Sequence, residues 1–260
     1  KVGPATVTGP HGSRPRRTAL CTVYQSRRLD AADVVRTFDL PVTTPATPLI
    51  ESRTLSMRFV ESSPADVLHL EMRAGRSGPV VIDIAAEGAL LHPNADSLFA
   101  FGFLPACELQ CDLQIDGSVS RSLLTAQGDL FALYARWYGH ARQPRVVARE
   151  RDDAVATGAD TMLFFSGGVD SCYSLLEAGT PLRSLVTVVG ADIGPQETEG
   201  AAWVTDLGRR FGERFGLRPI VVRTAARRCF NRMVAWDHFH GPFLAGVAHL
   251  LAPQHGRALV

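Results

Sequence analysis

The sequence predicts an α/β chain in which a parallel sheet with flanking helices is preceded by a smaller β-rich α+β domain. Three observations carry this. Between residues 55 and 115, four stretches alternate apolar with polar positions, the period of a strand with one buried face. After about Asp153, short unbroken apolar runs alternate with helical segments, the pattern of βαβ units. The 260 residues are 46% hydrophobic and 20% charged, which suits one large or two smaller globular domains. The boundary falls at 153/154, giving domains 1–153 and 154–260.

Taken in order, residues 1–50 show no period, and Pro41–Pro48 reads as an extended linker. Leu55, Met57 and Phe59 then alternate with polar neighbours, followed by Leu68, Leu70 and Met72, by Val80, Ile82 and Ile84, and by Leu109, Cys111, Leu113 and Ile115. Such alternation predicts half-buried antiparallel strands. Asn94–Leu104 reads as a helix capped by Asn94 or Asp96. A second helix, capped by Ser118 or Ser120, runs to about Trp137 with Leu123, Leu124, Phe131 and Tyr134 inward.

In the second half, Thr161–Phe165 is the first apolar run, and Ser171–Ala178 is a helix stopped by Gly179. Leu185–Val189 is the second run. Gln196–Phe215 is a helix with Val204, Leu207, Phe211 and Phe215 on one face and Gly216 as its stop. Ile220–Val222 is the third run, Phe243–Leu251 a third helix before Pro253, and Ala258–Val260 the start of a fourth run. Ligands sit beyond the carboxyl ends of such strands, so the second domain reads as incomplete at its C-terminus.

Composition excludes several classes. A formal net charge of +1 gives no global reason to expect nucleic-acid binding. The cluster Arg14, Arg16, Arg17, Arg27 and Arg28 reads as a solvated segment rather than a nucleic-acid surface. No apolar run approaches the roughly 18 residues needed to span a bilayer, so no membrane is expected. Five cysteines without framework spacing fit a reducing cytoplasm. Lys1 is the only lysine among 27 Lys plus Arg. Lysine-based covalent chemistry and a Walker loop are thereby nearly excluded, and an anion would be held by arginine, backbone amides or a metal.

The segment that carries chemistry is Ser166-Gly167-Gly168-Val169-Asp170-Ser171, set between an apolar strand and a helix. Adjacent glycines let the backbone turn and approach an anion closely. The amides of Gly167, Gly168 and Val169 suit a concave nest, backed by the positive end of the following helix. Ser166 and Ser171 add hydroxyl donors, and Asp170 suits bracing the loop or approaching Mg2+. The plainer reading is a Gly-Gly turn with a Ser/Asp helix cap.

On these residues the chain resembles the PP-loop ATP pyrophosphatases, or adenine nucleotide alpha hydrolases, whose S-G-G-x-D-S signature stands here as Ser166–Ser171. The resemblance covers about residues 158–260. It implies a Rossmann-like fold of the HUP type and ATP with Mg2+ as cofactors. It also implies cleavage of ATP between the α- and β-phosphates to adenylate a substrate, as in nitrogen ligases, sulfur transferases and 7-cyano-7-deazaguanine synthase. The substrate so implied is a small or carrier-bound molecule presenting a carboxylate or carbonyl. By that likeness Ser166, Gly167, Gly168, Val169, Asp170 and Ser171 hold pyrophosphate, Asp170 the metal, and Asp192 the nucleoside.

Relatives of this kind often bring a lysine to the phosphates; here Arg223, Arg227, Arg228 and Arg232 are the available substitutes, against a reading as a solvated basic loop. His240, in Trp236–Gly241 just before the third helix, reads as a catalytic candidate reaching the cleft, or as a cap. His238 and His240 suit metal only with further ligands. Cys107 and Cys111 read as buried small hydrophobes rather than zinc ligands. Cys172 stands where a helix N-terminus favours a thiolate, although helix packing serves equally. The first half is left three roles: substrate wall, homo-oligomer interface or partner surface. The rival to an enzyme is a non-catalytic adenine-nucleotide scaffold or sensor.

Overall fold

A computed structural model describes residues 54–60, 67–75, 77–153, 160–194 and 197–260. These all fall within one compact unit, Leu49–Val260. The proposed linker Pro41–Pro48, the N-terminal arginine cluster and Gln196 lie outside the described residues.

The elements in chain order are β1 (Thr54–Val60), β2 (Val67–Ala74), β3 (Val80–Glu87), α1 (Ala95–Glu108), β4 (Asp112–Ser120), α2 (Arg121–Tyr138), β5 (Val146–Arg151), β6 (Thr161–Phe164), α3 (Val169–Glu177), β7 (Leu182–Val189), α4 (Thr198–Phe215), β8 (Arg218–Thr224), α5 (Ala226–Phe230), α6 (Trp236–Leu251) and β9 (Arg257–Leu259). The chain is α/β, with a nine-stranded mixed sheet in the order β5-β4-β1-β2-β3-β8-β7-β6-β9. The sheet crosses the expected 153/154 boundary without a break, because β3 pairs antiparallel with β8 through Ile84–Glu87 and Val221–Thr224.

Alternation holds in β1, β2 and β3, where Leu55, Met57, Leu68, Leu70, Met72, Ile82 and Ile84 point into the core. Val80, at the start of its strand, lies outside it. The opposite face pairs Arg58 with Glu71 at 3.0 Å and His69 with Asp83 at 2.6 Å, each couple directly opposed in the ladder. The antiparallel expectation is correct for β1–β3 and wrong for β4, which lies parallel to both β1 and β5. Alternation reports which face is buried and is silent about direction. Nor does β4 begin at Leu109. Leu109 caps α1, Gln110 turns through φ 52°, and the strand starts at Asp112. β5 has a half-exposed apolar pattern and escaped notice in the sequence.

Asn94 caps α1 by accepting from the Ser97 amide at 2.9 Å. Twelve of the fourteen residues of α1 are buried, so it is apolar all round and forms the centre of the main core. Against it packs α6, with the Phe101 and Phe243 rings 5.7 Å apart. The start of α6 at Trp236 corrects the expectation of a helix from Phe243. Gly241-Pro242 looks like a stop, since Pro242 removes a backbone donor at a cost of about 3 kcal/mol. Burial of Trp236, Phe239 and Phe243, each worth about 1.5–3 kcal/mol or more, outweighs it. Among the described residues no helix is long and apolar enough to cross a membrane.

Helices cover β6, β7 and β8 on both faces. Met162, Phe164, Val186, Ile220 and Val222 face the α1/α6 core, while Leu163, Phe165 and Leu185 face a second cluster with α3 Leu175 and α4 Leu207 and Phe211. Consecutive residues are therefore buried, which is why these strands read as continuous apolar runs.

Candidate active site

The strands β8, β7, β6 and β9 are mutually parallel. Within this group they stand in the order third, second, first, fourth along the chain. The order reverses at β6, and parallel sheets of this kind open a crevice beyond the carboxyl ends at such a switch point. A cleft of about 390 Å3 lies there, within the range of small-molecule sites. Ser166, Asp170 and Ser171 line its polar side. Val186, Val188, Ala191, Ile193, Val204 and Leu244 line an apolar side, and Asp192 and His240 complete it. Of the residues singled out in the sequence, Ser166, Asp170, Ser171, Asp192 and His240 thus share one cavity wall, although Asp192 and His240 lie 22 and 70 residues beyond Asp170 in the chain.

The loop after β6 is built by local chemistry. Thr187 donates to the Phe165 carbonyl at 3.3 Å, and the Phe165 amide donates to Val186, tying the end of β6 to β7. Gly167 takes φ +78°, and a Cβ there would collide with the Leu207 side chain of α4. The Gly168 amide donates to Ser166 Oγ at 3.3 Å, and Ser171 Oγ donates to the Gly168 carbonyl at 3.0 Å. Helix α3 opens at Val169 with Gly168 as its cap residue and no side chain capping it. The amides of Val169, Asp170 and Ser171 therefore keep no partner within the helix. A helix end of this kind, with its positive dipole, suits an anion. Asp170 is exposed at the mouth.

The second wall is the turn after β7. Gly190 takes φ +104°, and a Cβ there would overlap the Thr224 carbonyl oxygen at the end of β8. The Gly190 amide donates to Ile193 at 2.8 Å and closes the turn. Asp192 Oδ2 lies 3.9 Å from His240 Nε2 on α6. Arg227 of α5 donates through Nη1 to the carbonyls of Ala191 at 2.9 Å and Asp192 at 3.1 Å.

No family model, curated protein or solved structure matches this chain.

The arginines are not brought to the loop. Arg223 pairs with Glu87 at 3.1 Å, Arg227 is committed to the two carbonyls, and Arg228 and Arg232 are exposed. No lysine or arginine is among the described residues lining the cleft. Cys172 is half-buried, and burial pushes its thiol up, against the thiolate expectation. Burial likewise pushes Cys107 up to about 12 and Cys111 to about 11, as for small hydrophobes. His238 and His240 lie on α6 rather than ahead of it. His238 stacks on Tyr138 at 3.8 Å, away from the cleft.

Among the described residues no group of three or more His, Cys, Asp or Glu is arranged to hold a metal. Mg2+ does not need one, because it is commonly held by one or two carboxylates together with phosphate oxygens and water. Asp170 and Asp192 are the carboxylates available on the cleft wall. Thr187 was missed in the sequence. Its signal was present as a polar residue inside the apolar run Leu185–Val189, where it is buried and ties two strands together.

Proposed function

We propose that this chain is an ATP-dependent, AMP- and pyrophosphate-forming enzyme of the PP-loop type, with β6–β9 and α3–α6 as a Rossmann-like HUP unit. One observation carries the reading. The Ser166–Ser171 loop, with the uncapped start of α3, opens onto a cleft at the switch point between β6 and β9. The free amides of Val169, Asp170 and Ser171 and the Ser166 hydroxyl would receive the pyrophosphate end, and Asp170 would share Mg2+ with the phosphates. The apolar side by Ile193, Val204 and Leu244 would receive the nucleoside. Bound Mg2+ supplies charge neutralisation at the phosphates.

The chemistry is two successive displacements. A carboxylate or carbonyl oxygen of the substrate bonds to the α-phosphorus, the bond from that phosphorus to the β-bridging oxygen breaks, and pyrophosphate leaves. A nitrogen or sulfur nucleophile then bonds to the activated carbon of the substrate and gives up its proton, the bond from that carbon to the adenylate oxygen breaks, and AMP leaves. The chain's part is positioning and charge stabilisation, and His240, held beside Asp192, is the residue placed to move a proton at the substrate end. Titration calorimetry with ATP and Mg2+ is expected to show saturable binding, weakened at least tenfold in Gly168→Ala and Asp170→Ala. Absence of binding to the wild type would sink the reading.

A second reading has its own observation. With no lysine or arginine on the cleft among the described residues, the site suits binding better than a reaction that spreads charge over phosphate oxygens. A non-catalytic nucleotide sensor would bind ATP and release no pyrophosphate with any carboxylate or carbonyl substrate. The proposed enzyme releases it, and loses that release in Asp170→Ala.

A further inference from the structure

We infer that Arg227 is a positioning residue that holds the Asp192 wall of the cleft in place. The inference rests on the nucleotide reading for its ligand but on geometry for its mechanism. Arg227 does not line the cleft. Its Nη1 spans the Ala191 and Asp192 carbonyls at 2.9 and 3.1 Å. These belong to the turn that carries Asp192 and Ile193 to the cavity.

The arginine is itself fixed from two sides. Its guanidinium carbon lies 5.5 Å from the centroid of Trp236, a residue only 8% exposed, and a cation over an aromatic face is attracted to it. Its helix α5 is anchored by Ala226 and Phe230, both fully buried, and by the Ala226 amide donating to Thr224 Oγ1 at 3.1 Å. The same Trp236 ring lies 5.8 Å from His240. Arg227 and His240 thus share one aromatic support, while Arg227 grips the backbone of the residue whose carboxylate faces His240. Ala191 is buried, so loss of Arg227 leaves its carbonyl without that donor, and the turn must move to find water.

The test uses the full chain with Arg227→Met, which keeps the apolar stem and removes every donor, and Arg227→Lys, whose ammonium donates to both carbonyls. Hydrogen exchange of the 190–194 amides and calorimetry with Mg2+ and ATP are measured on each, with circular dichroism to establish folding. Arg227→Met is expected to speed exchange in that turn, leave the 169–177 amides unchanged, and weaken ATP binding by about tenfold, the scale of one hydrogen bond from a charged donor. Arg227→Lys is expected to recover most of both. If the wild type binds ATP and Arg227→Met binds equally well, or Arg227→Lys binds as poorly as Arg227→Met, positioning is overturned. Faster exchange without lost affinity also overturns it, leaving a purely structural bond. Should the wild type bind no ATP, the nucleotide reading fails, and unchanged exchange in Arg227→Met would then separately refute the grip on the turn. Arg227→Gln, too short for both carbonyls, stands in if Arg227→Met folds poorly.

Discussion

The strands β1–β3 and the strands β6–β8 lie in one sheet, yet they solve burial differently. The first group buries every second side chain and leaves its other face to cross-strand pairs such as Arg58–Glu71. The second buries consecutive side chains because helices lie on both faces. The contrast has a functional side. Among the described residues, β6, β7 and β8 run parallel to one another with helices following their carboxyl ends, whereas β1, β2 and β3 are antiparallel to one another, and the turn after β6 leaves helix amides free over a cleft. Covering both faces sets helix starts at the strand ends that border the cleft.

The largest effects should come from breaking double coverage. Val222→Asp and Val221→Asp, facing opposite sides of β8, are each expected to lose about 3–5 kcal/mol in urea unfolding, as an unpaired buried charge does. Val81→Asp on β3, where Val81 is 51% exposed, is expected to stay within about 0.5 kcal/mol. A mild Val221→Asp would mean that β8 has an open face after all. Next comes the turn. Gly190→Ala combines a left-handed backbone with overlap on Thr224 and should cost about 3 kcal/mol, whereas Gly78→Ala, before β3 with nothing within 4 Å of its added carbon, should move the midpoint little.

A smaller effect concerns pH. Burial lowers the pKa of both His249 and His255. A neutral buried histidine stabilises fully above its unfolded value, about 6.5, and that contribution is lost as pH falls toward the folded value. Stability should therefore decline between pH 7 and 5, and His249→Gln or His255→Gln should flatten the slope there. The carboxylates Glu71 and Asp112, lowered chiefly by hydrogen bonds from Arg58 and Arg142, lose theirs only below about pH 4. Smallest of all, Arg58→Ala on the open face should lower the urea midpoint only slightly at pH 7 and not at all below about pH 4.

What could be read from the sequence was what depends on neighbours. The Ser166–Ser171 loop is six adjacent residues between a strand and a helix, and its surroundings follow from local pattern. Asp192 could be picked out because it follows the second apolar run, and His240 by its residue type beside a helix that in fact already contains it. The direction of β4, the pairing of β3 with β8 and the early start of α6 depend on partners far along the chain, and local period is blind to them. Arg227 and Arg228 look alike in a run of basic residues. The roughly 100° between neighbours on a short helix sends the first to the carbonyls of Ala191 and Asp192 and the second into water.

The pairing of β3 with β8 also bears on any attempt to divide the protein. Cut near residue 153, the C-terminal piece would carry β8 as a raw rim, with Val221–Thr224 stripped of its ladder partners and apolar side chains on both sides. Such a rim is a template for the next copy of itself. The second half produced alone is expected to self-associate into insoluble material, so its cleft is best studied with the first half attached.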